Sequence, residues 1–235
     1  IGNGFSALVA FLLNALVARY LGTEIFGRYS FVFAFLANFM VLSVFGIDTI
    51  LVREMSRDAL KAEKLIGNAV VLKLFFSLAA MIISVAIVFL LPYDSSIRLG
   101  VIFGSLGLCF YSLAMSFSSV FQVRLEMIYA AIAGIASKLV FGLLTFYVIL
   151  TNGGFVKLIV ASSIGFAAQA LLMYLFSRRR VKVKPSFDAV LCRELLREAW
   201  PIALVTLFIT LYYRIDSVLL SLIRDTTEVG YYSAA

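Results

Sequence analysis

Seven apolar runs, each about as long as a helix must be to cross hydrocarbon, follow one another along these 235 residues. A crossing helix needs roughly 20 apolar residues, and segments 1–21, 29–51, 65–91, 99–121, 127–150, 155–176 and 200–223 meet that requirement. Turn-forming or charged residues separate them, among them Gly22 with Gly27, Pro92-Tyr93-Asp94-Ser95-Ser96 and Asn152-Gly153-Gly154. Strands of a membrane barrel would alternate over ~10 residues, and these runs do not. The expected fold is therefore all-α: a polytopic membrane helix bundle. With 63% hydrophobic and 14% charged residues, against about 25% charged in soluble domains, a soluble globule of this size could not hide its apolar surface. Histidine is absent, and Cys109 and Cys192 are too few and too far apart for a zinc cluster. No metal and no cofactor is expected.

The net charge is +7, and its distribution sets an orientation. Connections two–three, four–five and six–seven carry Arg53, Arg57, Lys61, Lys64, Arg124, Arg178, Arg179, Arg180, Lys182, Lys184, Arg193 and Arg197, which is 12 of the 20 basic residues. The other side carries Arg19, Arg28, Arg98, Lys157 and Arg224. The positive-inside rule then places loops 52–64, 122–126 and 177–199 in the cytoplasm, in a multi-pass protein of the plasma (inner) membrane. The run Arg178-Arg179-Arg180 reads as an orientation signal and an attraction to anionic membrane lipids. No nucleic-acid-binding fold accompanies it, so no nucleic-acid partner is expected.

Three parts are expected: a six-helix lobe over 1–176, a basic linker over 177–199, and the first span of a second lobe with the start of its next span over 200–235. In the linker, Phe187, Val190, Leu191 and Leu195 share a face opposite charged residues, which predicts an interfacial helix. Pro201 is expected to open the following span, where its missing N–H costs nothing. A short repeat supports the two-lobe reading: Thr23-Glu24-Ile25-Phe26-Gly27-Arg28-Tyr29-Ser30 follows the first span, and Thr227-Glu228-Val229-Gly230-Tyr231-Tyr232-Ser233 follows the seventh. The sequence opens at Ile1 inside an apolar run and stops at Ala235 as another begins. A longer chain, with the rest of the second lobe, is expected.

The spans carry polar stripes at helical spacing. Ala69, Lys73, Ser77, Ala80 and Ser84 form one in the third span; Ala131, Gly134, Lys138, Gly142 and Thr145 form one in the fifth; Ala203, Thr206, Thr210, Arg214, Ser217 and Ser221 form one in the seventh. Asn3, Ala7, Ala10, Asn14 and Ala18 in the first span and Ser162, Gly165 and Gln169 in the sixth are similar. A cation at mid-span costs at least ~2.5–3.5 kcal/mol on insertion scales. A hydrated cationic cavity lowers that cost. The expectation is that Lys73, Lys138 and Arg214 look into one such chamber, lined further by Asn14, Ser77, Ser84, Gln169, Thr210 and Ser217. The alternative is close helix packing, which also favours small residues, with the lysines reaching toward the interface. Asp48 reads either as an interfacial charge or as a group for ion coupling or gating. Asp216, two residues from Arg214, must pair elsewhere, protonate or meet water, and is the second candidate for coupling.

A basic membrane cavity favours an anion. A phosphate-bearing lipid headgroup fits, because its tail can stay in the bilayer. No Walker sequence and no nucleophile–base constellation is present. The residues thus point to a transporter of anionic amphiphiles and not to an enzyme.

Several stretches resemble the Wzx-type polysaccharide flippases of the multidrug/oligosaccharidyl-lipid/polysaccharide exporter superfamily. They are Ala18-Arg19-Tyr20-Leu21-Gly22 with Gly27-Arg28-Tyr29-Ser30; Gly46-Ile47-Asp48-Thr49-Ile50-Leu51-Val52-Arg53-Glu54; and Trp200-Pro201-Ile202 leading to Tyr213-Arg214-Ile215-Asp216-Ser217 and Val229-Gly230-Tyr231-Tyr232-Ser233-Ala234-Ala235. The resemblance covers the whole chain. It implies two pseudosymmetric six-helix lobes around a central cavity. It also implies movement of polyprenyl-pyrophosphate-linked oligosaccharide to the outer leaflet by alternating access. By position, Arg53, Lys73, Lys138 and Arg214 are the expected pyrophosphate contacts, and a polysaccharide polymerase and glycosyltransferases are the implied pathway partners. Two other readings stand beside it: a multidrug or metabolite cation antiporter of the same superfamily, which should present acidic cavities, and a membrane-embedded polymerase or glycosyltransferase, which should carry a large loop or an acidic cluster.

Overall fold

The computed structural model describes the backbone of residues 2–223 and the side chains of residues 9–213. Seven α-helices follow in order: α1 (Gly2–Val44), α2 (Ile47–Arg57), α3 (Ala62–Leu90), α4 (Ser95–Val123), α5 (Met127–Leu150), α6 (Phe155–Ser177) and α7 (Ala189–Ile223). A single 3-10 turn, Ala59–Lys61, joins α2 to α3. No strand occurs among the described residues. The helical membrane bundle read from the sequence is what the chain forms.

The first two expected spans are two helices that meet at a kink at Gly22 and are numbered together as α1. α1 has 43 residues and would be roughly 65 Å long if straight, about twice the hydrocarbon thickness. It bends at Gly22, whose φ of 72° and ψ of 169° lie in a region only glycine adopts readily. The bend lets Val17 on one arm and Phe31 and Val32 on the other enter the same buried cluster. The expected second span, 29–51, is not continuous. Phe45 and Gly46 both take positive φ, 51° and 66°, which ends α1 and starts α2 as a separate short helix.

Loop contacts sort the helix ends into two sets. At one end Arg28 bonds Glu24 at 3.0 Å and Asp94 at 2.5 Å, and the Tyr20 hydroxyl donates to Gly153 O at 3.1 Å. At the other end Arg53 pairs with Glu54 and Glu198, Lys64 with Asp188 and Arg180 with Glu126. The second set joins the three basic connections, so most of the positive charge gathers at one end.

The basic linker is not a loose tether. Residues 181–188 are non-helical and run against α3, with Val181 buried. A Cβ on Gly67 would stand 2.2 Å from Lys184 O, so only glycine lets this strap lie so close. Asn68, fully buried, donates to Lys64 O at 2.8 Å and to Ser186 Oγ at 3.1 Å, and accepts from Asp188 N and Cys192 Sγ. Asp188 then caps α7, its Oδ1 accepting from Val190 N and Leu191 N.

Two expectations for this region are corrected. Residues 189–199 are the first turns of α7, not a separate interfacial helix, and Pro201 lies inside that helix. The cause is burial. Cys192, Leu195 and Ala199 recur at helical spacing and pack into the cluster built by Ile47, Ile50, Leu51 and Leu65. The turn that Pro201 leaves one bond short lies between the buried Ala199 and Ala203, and membrane helices tolerate such a proline. The backbone of α7 comes so near the α1–α2 break that a Cβ on Gly46 would lie 3.0 Å from Ala199 O.

Candidate functional site

The expected chamber divides once the helices are assembled. In α3, Ala69, Lys73, Ser77, Ala80 and Ser84 are all fully buried, while Phe75, Leu78, Ile82 and Phe89 on the opposite face are exposed. The small and polar stripe is thus the packing face of α3, set against α4 and α1. Ser77 and Ser84, expected to line a cavity, donate instead to carbonyls of their own helix, Leu74 O at 3.0 Å and Met81 O at 2.9 Å. Their hydroxyls are satisfied locally, so the stripe can be buried without water. The small residues of α3 serve close packing here, while Lys73 does not reach toward the interface as that alternative also expected.

Lys73 is corrected as well. Its ammonium is sealed inside the lobe, bonded to Asp48 Oδ1 and to Ser112 O at 3.4 Å. Asp48 is buried in the first turn of α2, where a helix N-terminus favours a negative charge. Its carboxylate is turned into the lobe and not to solvent. The burial of Lys73 is tolerated because a carboxylate and a carbonyl satisfy it. Around the pair, Ser119 Oγ donates to Asp48 Oδ1 at 3.4 Å, Ser112 Oγ to Ser43 O at 3.0 Å and Ser116 Oγ to Ser112 O at 3.2 Å. The sequence reading passed over Ser112, Ser116 and Ser119. The signal was there in the spacing: Ser105, Ser112, Ser116 and Ser119 fall on one helical face, and all four are fully buried.

Lys138 lies midway along α5 and is half-buried. The arm of α1 before Gly22 runs beside it, since Gly142, one turn on, faces Leu13 with its missing Cβ 3.3 Å from Leu13 Cδ2. Asn14, next to that contact, is exposed. Lys138 and Asn14 therefore lie on neighbouring helices. The other side of α5 is bound to α6, where Ser137 Oγ donates to Gly165 O at 2.8 Å. Gln169 on α6 and Thr210 on α7 are half-buried.

Arg53 sits at the basic end, with its side chain 49% exposed and bonded to Glu54 at 3.0 Å and to Glu198 of α7. Arg214, Asp216 and Ser217 belong to α7, but their side chains lie outside the described residues. The repeat Thr227–Ser233 also falls outside them. Of the three cations expected to meet, Lys73 is withdrawn into the lobe, Lys138 is half-buried midway along α5, and the side chain of Arg214 lies outside the described residues. No group of metal-ligating residues occurs among the described residues.

No curated protein and no solved structure matches the chain. A family described as polysaccharide biosynthesis protein matches it along residues 1–235, in agreement with the motif resemblance. Taken with six helices long and apolar enough to cross a membrane, this makes the chain a multi-pass membrane protein of polysaccharide biosynthesis and transport. The chain belongs to the polysaccharide biosynthesis protein family.

Proposed function

We propose that this chain forms the first lobe, and the start of the second, of a transporter that carries polyprenyl-pyrophosphate-linked oligosaccharide from the cytoplasmic to the outer leaflet by alternating access, without itself being an enzyme. The observation that carries the reading is Lys138, a cation held half-buried midway along a crossing helix that packs against α1. Such a residue is expensive in lipid and tends to mark a substrate path. Membership of a polysaccharide biosynthesis family fits a lipid-linked polysaccharide precursor as cargo, and an anionic pyrophosphate is the part of that cargo a lysine would hold. Arg214, by its place on α7, is the second proposed contact. Arg53 is a weaker one, because Glu54 and Glu198 already share its charge. Lys73 has no part in headgroup binding, and its partner Asp48 is spoken for, which leaves Asp216 as the proposed coupling group. The positive-inside rule puts the basic end in the cytoplasm of a plasma-membrane protein. The pathway's glycosyltransferases and polymerase would act before and after this step.

The test is Lys138→Ala with Arg214→Ala in the full-length protein, reading surface polysaccharide at matched transporter abundance. Loss of surface polymer with accumulation of the lipid-linked unit on the inner leaflet is expected. Normal surface polymer would remove the site assignment.

A further inference from the structure

The polar cluster between α2, α3 and α4 has a composition that packing alone does not require. Every partner of the Lys73 ammonium is an oxygen: Asp48 Oδ1, and Ser112 O at 3.4 Å. The hydroxyls of Ser119 and Ser116 point to those same two oxygens, at 3.4 and 3.2 Å. Asp48 itself is 9% exposed, and its Oδ2 is buried with no hydrogen-bond partner. A carboxylate, a main-chain carbonyl and hydroxyls are the oxygen donors that hard cations take, and a single carboxylate balances one positive charge. A buried carboxyl either protonates or is matched by one positive charge, and an ammonium group is close to potassium in size. It meets the same need as an alkali ion.

We infer that this cluster is a monovalent-cation site whose cation is built into the chain, the Lys73 ammonium standing where a potassium or sodium ion would otherwise sit against Asp48. The tether keeps the site filled at any salt concentration, so Asp48 takes no alkali ion from solution. Removing the side chain beyond Cβ vacates a buried space bounded by the carboxylate, its open Oδ2 and Ser112 O, and an alkali cation then enters. The inference is independent of the cargo proposed above, because it concerns only what neutralises Asp48.

The experiment measures binding of radiolabelled rubidium and of sodium to the purified full-length protein, with choline holding ionic strength constant. The wild type should show no cation binding that Asp48→Asn removes. Lys73→Ala should gain saturable binding of one cation per chain, and Lys73→Ala combined with Asp48→Asn should lose it. At a potassium concentration roughly tenfold above the dissociation constant, Lys73→Ala should melt about 3–5 °C higher than in choline. If Lys73→Ala folds only when potassium or sodium is present, that also supports the site. Three results overturn it: Asp48-dependent cation binding in the wild type, a folded Lys73→Ala that gains none, or a Lys73→Ala that fails to fold in potassium, sodium and choline alike.

Discussion

Asn68 of α3 accepts a hydrogen bond from the backbone N–H of Asp188 at 2.5 Å, across 120 residues of sequence. That bond fixes where α7 begins, because Asp188 is also the residue that caps it. Asn68 holds four groups at once and is fully buried. Asn68→Ala should destabilise the full-length protein by about 1–3 kcal/mol, the cost of leaving a buried donor unpaired. Hydrogen exchange at the Asp188 amide should accelerate with it. An unchanged melting temperature together with an unchanged exchange rate would show that the strap does not hold α7.

The same residue predicts a pH dependence at the basic end. The Asp188 carboxyl is held below its ordinary value of 3.8, first by the hydrogen bond from Lys64 and then by the backbone N–H of Leu191. A carboxyl whose folded pKa is depressed contributes stability above its unfolded pKa and loses it as pH falls through the folded one. The start of α7 should therefore loosen only in acid below pH about 4. Exchange or proteolysis at residues 186–192 between pH 6 and pH 3 measures this, and Asp188→Asn should flatten the profile.

Gly67→Ala tests the strap from the other side. The added methyl would meet Lys184 O, which is backbone and cannot rotate away. The strap must lift, at a cost of about 1–3 kcal/mol for overpacking. Protease cleavage within residues 181–186 should rise several-fold. Gly154→Ala, where nothing lies within 4 Å of the added atom, is the matched control.

The buried pair predicts strong non-additivity. Asp48→Asn or Lys73→Met alone leaves one charge uncompensated and should cost about 3–5 kcal/mol. The combined variant should cost clearly less than the sum. A double-mutant cycle on thermal or denaturant unfolding gives the coupling directly. Additive losses would mean that the two charges are not paired in the folded protein.

Much of the bundle was legible in the sequence, because a crossing helix must satisfy its own backbone and keep apolar length, and both requirements are local. The runs that became α3, α4, α5 and α6 needed nothing from their neighbours to be read. The gathering of basic connections at one end was legible for the same reason. The break at Phe45–Gly46 was not, since hydropathy runs through it unchanged and only the approach of Ala199 makes the left-handed turn worth its strain. The start of α7 was hidden likewise: Phe187, Val190, Leu191 and Leu195 showed an apolar face but not that Leu195 would meet Leu65 and Leu51 instead of lipid.

The clearest division falls on Lys73. The sequence by itself determined that Lys73 shares a helix face with Ala69, Ser77, Ala80 and Ser84, because 3.6 residues per turn leave no other arrangement. It could not determine what lies against that face. Small hydroxyl-bearing residues suit a water-lined wall and a tight helix contact equally well, since serine can satisfy itself on its own backbone. Only the tertiary structure placed Asp48, 25 residues away, and the carbonyl of Ser112 against the ammonium. A charge is settled by what surrounds it in space, and that is fixed by how helices dock, not by the spacing along any one of them.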